Sequence, residues 1–253
     1  MTADENNEPP SAIISFAKDN ITVRKQAEKL SANLHLPVVP GAKKTSCEIV
    51  LFFSLIGLEL HYNKTLRGKL HIDFDAADLT YRKQHGGGIK QPLARAIGIK
   101  ANIRPSILDA TAGLGIDSYL LASFGCRVRM IERSPFLAAL LNDALQRIQC
   151  QNPLLLHGEA EALIAKAENR VDTIYLDPMY PPRGKSALNR QEMRIIRALV
   201  GDDDDADRVF LTALRHAAKR VVVKRPKAAP LLSGKRPSHV IKMKSSRFDV
   251  YMV

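Results

Sequence analysis

Apolar residues recur along this chain in two rhythms: short unbroken runs, and stretches with apolar positions three and four residues apart. The runs read as buried strands and the spaced stretches as amphipathic helices. From residue 107 onward the two alternate. Strands are expected at 107–109, 127–132, 154–157, 173–176 and 220–224, and helices at 117–123, 136–149, 159–168, 185–199 and 206–218. Ser134-Pro135 gives the second of these helices an N-cap and a first-turn proline. Two further runs, 239–244 and 247–253, flank Ser245-Ser246 and read as a closing hairpin. The alternation predicts an α/β fold, a doubly wound Rossmann-like parallel sheet with an antiparallel C-terminal hairpin.

Upstream the pattern changes. Strands are expected at 12–16, 48–53, 58–62 and 69–74, with a helix at 21–34 that Pro37 and Pro40-Gly41 bring to an end. These elements predict a small N-terminal α+β domain over 1–77. Residues 78–253 then form the main domain, of which 78–100 are a linker and a strap helix at 92–97. Gly86-Gly87-Gly88 in the linker reads either as a hinge or as backbone packed closely against a ligand or chain. No catalytic motif falls in the N-terminal part.

Composition narrows the field. A chain of 253 residues, 45% hydrophobic and 25% charged, can bury a full globular core. Cys47, Cys126 and Cys150 are odd in number and lack C-x-x-C spacing, so no metal site is expected and a reducing cytoplasm is. Cys126 reads as a core thiol. Residues 1–10 are polar and acidic, unlike a secretory signal. The longest mostly apolar run, 49–60, is too short to span a bilayer, so no membrane partner is expected. A monomer is the default expectation. The acidic run Asp202–Asp205 fits N-cap and helix-dipole roles better than a metal site.

Candidate chemistry gathers in two stretches. Residues 106–117, S-I-L-D-A-T-A-G-L-G-I-D, run from a short strand through small residues into a helix. In a doubly wound sheet such a turn lies under a nucleotide, with glycine admitting the ligand to the backbone. The dinucleotide pattern G-x-G-x-x-G is incomplete, because Ser118 stands at its third position. The methyltransferase pattern, an acidic residue followed by glycines at alternate positions, is met by Asp109, Gly113 and Gly115, with Thr111 replacing the first glycine. Glu132 ends the next strand, 19 residues beyond Gly113, where a carboxylate accepts from ribose hydroxyls. That logic serves NAD as well as S-adenosylmethionine (SAM). His157 reads as a buried, satisfied histidine, and Asp117 as a helix cap, a neighbour of the methionine moiety, or both.

The second stretch, 172–182, reads D-T-I-Y-L-D-P-M-Y-P-P. Asp177-Pro178-Met179-Tyr180 resembles the D-P-P-Y turn of methyltransferases that act on exocyclic amines, with Met179 as a departure. An exocyclic amine is a poor nucleophile because its lone pair is delocalised into the ring. The enzyme must hold nitrogen, methyl carbon and sulfur in line. Asp177 and the Pro178 carbonyl are the candidates for the amine hydrogens, and Tyr180 for stacking on a flipped base.

Charge then suggests the substrate. The net charge is +12, and residues 183–253 hold 17 Lys+Arg against 7 Asp+Glu. A basic surface beside a binding crevice is the footprint of a phosphate backbone. Arg183, Lys185, Lys224, Arg225 and Lys227 are the candidate phosphate contacts. The residues alone reach an amino methyltransferase of nucleic acid. A nicotinamide-dependent oxidoreductase and a non-catalytic RNA-binding factor remain as rivals.

The motifs H-G-G-G (85–88), L-D-A-T-A-G-L-G-I-D (108–117), G-C-R-V-R-M-I-E-R (125–133), Y-L-D-P-M-Y-P (175–181) and R-V-V-V-K-R-P (220–226) resemble the ribosomal RNA small subunit methyltransferase J family. The resemblance is close over about 80–253. It implies SAM as cofactor, N2 of one guanosine in 16S rRNA as target, and the small ribosomal subunit or its rRNA as partner. It also implies cofactor contacts at Ile116, Asp117, Glu132, Arg133, Glu159, Ala160 and Asp177. Glu159-Ala160 stands where the family has paired serines, and Ile116 where it has a basic residue. Backbone contacts survive both changes, whereas side-chain contacts do not. Adenine N6 is the rival target.

Overall fold

The structure, a computed structural model, describes residues 12–17, 20–41, 46–64, 67–77, 79–81, 87–166, 170–179 and 191–253. They form two compact units divided after Ile72, with 191–198 joining the first.

The first unit is a four-stranded sheet in the order β1 (Ala12–Phe16), β2 (Ile49–Ser54), β3 (Gly57–Tyr62) and β4 (Gly68–His71). β1 and β2 are parallel, from Ala12 opposite Ile49 to Phe16 opposite Phe53, and the other pairs are antiparallel. The crossover between β1 and β2 is helix α1 (Ile21–Leu34), capped by Asn20, whose side chain accepts from the Thr22 and Val23 N–H groups. α1 buries Val23 and Ala27. Five consecutive residues of β2, Ile49 to Phe53, are buried, so this strand is covered on both faces.

The second unit carries a seven-stranded sheet. It comprises β5 (Ile107–Asp109), β6 (Val128–Glu132), β7 (Leu154–His157), β8 (Thr173–Leu176), β9 (Arg220–Pro226), β10 (His239–Lys242) and β11 (Ser246–Met252), in the order β10-β11-β9-β8-β5-β6-β7. β5 to β9 are parallel, and β11 and β10 add antiparallel, as the α/β expectation required. Side chains on neighbouring positions of β8 and β9 go to opposite faces. Ile174, Leu176, Val221 and Val223 pack with Val209, Phe210 and Ala213 of helix α7 (Ala206–His216) and Ile164 of α5 (Ala160–Ala165). Tyr175 and Val222 pack on the other face with Ala94 and Ile97 of α2 (Pro92–Ile97) and Leu120 and Leu121 of α3 (Ile116–Ser123). Helix α4 (Pro135–Arg147) follows β6, with the Ser134 hydroxyl accepting from the Leu137 N–H. Helix α6 (Gln191–Val200) follows β8.

From β5 the chain goes outward to β6 and β7 on one side and to β8 and β9 on the other. The carboxyl ends of β5 and β8 therefore flank the topological switch point, where open α/β sheets bind ligands. Several details differ from the sequence expectation, among them the strand expected at 69–74, which spans Gly68–His71. β9 runs on to Pro226 because Ser246 of β11 pairs with it. Asp205 precedes α7 but makes no side-chain cap bond.

Candidate active site at the switch point

The loop after β5 is held by its own first carboxylate. Asp109 is 1% exposed. One oxygen accepts from the Thr111 N–H at 3.0 Å, and the other from the Ser118 hydroxyl of α3 at 2.7 Å. Burial pushes its pKa up to about 7, against both hydrogen bonds. Asp109 is a brace for the loop. Gly115 has φ +71°, and a Cβ there would lie 2.6 Å from Leu141 of α4, so this glycine lets the loop seat on a helix. Gly113 has φ +55° and open space where a Cβ would stand.

Glu132 ends β6 and is 5% exposed. Its two oxygens accept from the Gly113 and Ser134 N–H groups, each at 2.8 Å. Burial raises its pKa, and those two N–H groups oppose the rise. A carboxylate has about four acceptor positions, so two remain for ribose hydroxyls. The side chain thus spans the glycine loop and the start of α4.

The turn after β8 meets this loop directly. The Asp177 N–H donates to the Thr111 hydroxyl at 2.6 Å. The Asp177 carboxylate lies 2.7 Å from the Lys224 ammonium, which also reaches Asp117 at 3.3 Å, and the Tyr175 hydroxyl donates to the same Asp117 oxygen at 2.9 Å. Burial raises the Asp177 pKa most, the Asp117 and Asp203 charges add to it, and Lys224 opposes them. Burial works against the Lys224 ammonium, yet the two carboxylates push its pKa above the ordinary value. Two residues on, Met179 is clamped by Asp203. The Met179 N–H donates to the Asp203 carboxylate at 2.6 Å, and the Asp203 N–H donates back to the Met179 carbonyl at 3.3 Å. The other Asp203 oxygen pairs with Arg133 at 2.5 Å, and Arg133 reaches Asp205 at 3.3 Å.

Several sequence expectations change here. Lys224, read as a phosphate contact, has its ammonium committed to Asp177 and Asp117. Arg225, read likewise, is 3% exposed and cannot face a polynucleotide backbone. His157 is exposed, with Nε2 3.2 Å from the Arg133 carbonyl, not buried. Asp203 and Asp205 turn to Arg133 instead of capping α7. Ile116 and Asp117 open α3, while Glu159 is exposed and Ala160 half-buried at the start of α5. Lys227 is exposed. Tyr180, Arg183 and Lys185 lie outside the described residues.

Comparison with known proteins bears on what this site belongs to. A family model described as "Putative SAM-dependent methyltransferase" matches residues 29–253. The ribosomal RNA small subunit methyltransferase J of Thioalkalivibrio sulfidiphilus is 44% identical over 250 residues, covering 94% of this chain and 96% of that protein. Its counterpart in Desulfotalea psychrophila is 39% identical, covering 96% of each chain. The chain belongs to the ribosomal RNA small subunit methyltransferase J family. The crystal structure of a SAM-dependent methyltransferase from Neisseria gonorrhoeae matches with 32% identity and a TM-score of 0.68, covering 94% of this chain and 95% of that one. As a member of the methyltransferase J family the chain is a SAM-dependent enzyme. The residues fit that cofactor: the space at Gly113 is one a Cβ would fill, and Glu132 retains acceptor capacity beside it.

Sequence reading gave Lys224 only as a phosphate contact, and it missed Tyr175 and Asp203 as parts of the site. Lys224 carried a signal, since it lies on β9, beside β8, which leads into Asp177. Asp203 carried none, because its partner Met179 is 24 residues upstream.

Proposed function

We propose that this chain transfers the methyl group of SAM to the exocyclic N2 of one guanosine in the 16S rRNA of the small ribosomal subunit, in the cytoplasm. The observation that carries this reading is the 2.6 Å bond from the Asp177 N–H to the Thr111 hydroxyl, which joins the glycine loop to the D-P-M-Y turn in one crevice. When bound, SAM supplies an electrophilic methyl group on a sulfonium. Glu132 orients the ribose, the backbone around Gly113 admits the methionine part, and Ile116, Asp117, Arg133, Glu159 and Ala160 border the cofactor. Asp177 and the Pro178 carbonyl accept the two amine hydrogens, so the nitrogen lone pair faces the methyl carbon. After transfer the nitrogen carries an extra proton, and the Asp177 carboxylate that accepted its hydrogen is the group to receive it. Tyr180, next in the turn, stacks on the extruded base.

All these residues fall within 78–253, the proposed catalytic domain, with 1–77 as a separate small domain. Arg183, Lys185 and Lys227 are the proposed backbone contacts. Nucleoside mass spectrometry of rRNA from a bacterial strain lacking its own copy of the enzyme, complemented with this chain, tests the reading. Return of one N2-methylguanosine in 16S rRNA is expected. Its absence, or appearance of N6-methyladenosine instead, would overturn it.

A further inference from the structure

Lys224 belongs to neither of the motifs that define the site, and its side chain does not point at solvent. It lies on β9, next to β8, and only 31% of its side chain is exposed. Its ammonium contacts two carboxylates from different elements, Asp177 after β8 and Asp117 in the first turn of α3. The Asp177 side chain keeps 38% exposure and Asp117 only 16%. Lys224 takes Oδ2 of Asp177, and among the described residues no donor reaches its Oδ1. A single ammonium thus fixes one oxygen of Asp177 and leaves the other for a substrate hydrogen.

The charges around Asp177 make this contact consequential. Asp117 faces it from α3, Asp109 from the end of β5, and Asp203 from the segment before α7, while Tyr175 of β8 brings a neutral hydroxyl. Among the described residues, Lys224 is the cation paired with Asp177, set among three further acids. Like charges and desolvation both favour a protonated carboxyl, and a protonated carboxyl cannot receive the amine's proton.

We propose that Lys224 is a positioning residue for methyl transfer: it keeps Asp177 an anion and aims its second oxygen at the target amine. The inference rests on the reading that Asp177 meets that amine. It makes Lys224 a residue that acts on turnover without touching RNA or cofactor.

The test joins a titration of the cofactor-free protein to kinetics. Carboxyl carbon shifts of labelled aspartate, with Asp177 assigned through Asp177→Asn, give its titration midpoint. Lys224→Met should move that midpoint up by about one pH unit or more, and Lys224→Arg by less. Asp117→Asn, which removes a like charge, should move it down. In single turnovers at saturating SAM, Lys224→Met should lose ~tenfold or more in rate at neutral pH and regain part of it as pH rises. Lys224→Arg should retain more of the rate, and SAM affinity by calorimetry should change little in either. An unmoved midpoint in folded Lys224→Met, or a wild-type rate and pH profile, would overturn the proposal. If Lys224→Met does not fold, the Lys224→Arg and Asp117→Asn midpoints decide it. A wild-type protein that methylates no small subunit would instead defeat the underlying reading, while the titration still decides whether Lys224 governs Asp177.

Discussion

Gly113 and Asp109 carry the glycine loop by opposite means, one by leaving space and the other by filling it. At Gly113 a side chain would face strain of about 1–2 kcal/mol from the positive φ, and it would occupy the crevice. Gly113→Ala should therefore weaken SAM binding ~tenfold or more, measured by calorimetry, with only a small fall in melting temperature. Unchanged affinity would remove Gly113 from the cofactor site. Asp109 acts through stability. Its folded pKa is raised from 3.8 to about 7, so the folded state keeps a proton that the unfolded chain releases. The stability Asp109 contributes is then greatest below about pH 4 and is lost as pH rises towards about 7. Between about pH 5 and pH 8, urea unfolding should show wild type losing more stability than Asp109→Asn. Equal losses would contradict this account. Asp109 and Glu132 were both legible as acidic residues at strand ends. The sequence could not say that Asp109 turns inward, because that depends on Ser118 of α3 lying within reach.

At the scale of elements, the turn after β8 is held from both sides, by Thr111 after β5 and by Asp203 before α7. Asp203 also pairs with Arg133, which follows β6, so one carboxylate ties the end of β6 to the turn after β8. Burial raises its pKa, and the Met179 N–H and Arg133 offset part of that cost. Asp203→Ala should lower kcat ~tenfold while changing SAM affinity only a few-fold, because it loosens the turn and not the glycine loop. Equal losses in both, or none, would count against the clamp. Strand and helix positions were readable from periodicity, and six elements (12–16, 21–34, 92–97, 107–109, 154–157 and 173–176) have the expected bounds. What periodicity could not supply was pairing. The parallel partnership of β1 with β2 and the extension of β9 to Pro226 depend on residues far apart in the chain. The role of the acidic run was misread for the same reason, since Arg133 lies about 70 residues upstream of it.

Across the whole molecule the governing quantity is charge. Of the net +12, residues 183–253 supply +10, from 17 basic and 7 acidic side chains. Two of the five expected phosphate contacts, Lys224 and Arg225, turn out to serve the interior, so a count of basic residues overstates what a polynucleotide meets. Exposed groups such as Lys227 remain. Binding to 16S rRNA should weaken at least ~tenfold between 50 and 200 mM salt, with SAM binding nearly constant. A flat salt dependence would mean that the basic surface is not the RNA footprint.

The central claim is that the glycine loop and the D-P-M-Y turn form one site that methylates small-subunit rRNA. Tritium transfer from methyl-labelled SAM to undermethylated small subunits tests it most directly, with protein-free 16S rRNA as the comparison. Wild type should label the rRNA, and Asp177→Ala should lose at least ~100-fold of that rate while still binding SAM. Labelling by Asp177→Ala at the wild-type rate, or no labelling of either substrate by wild type, would contradict it.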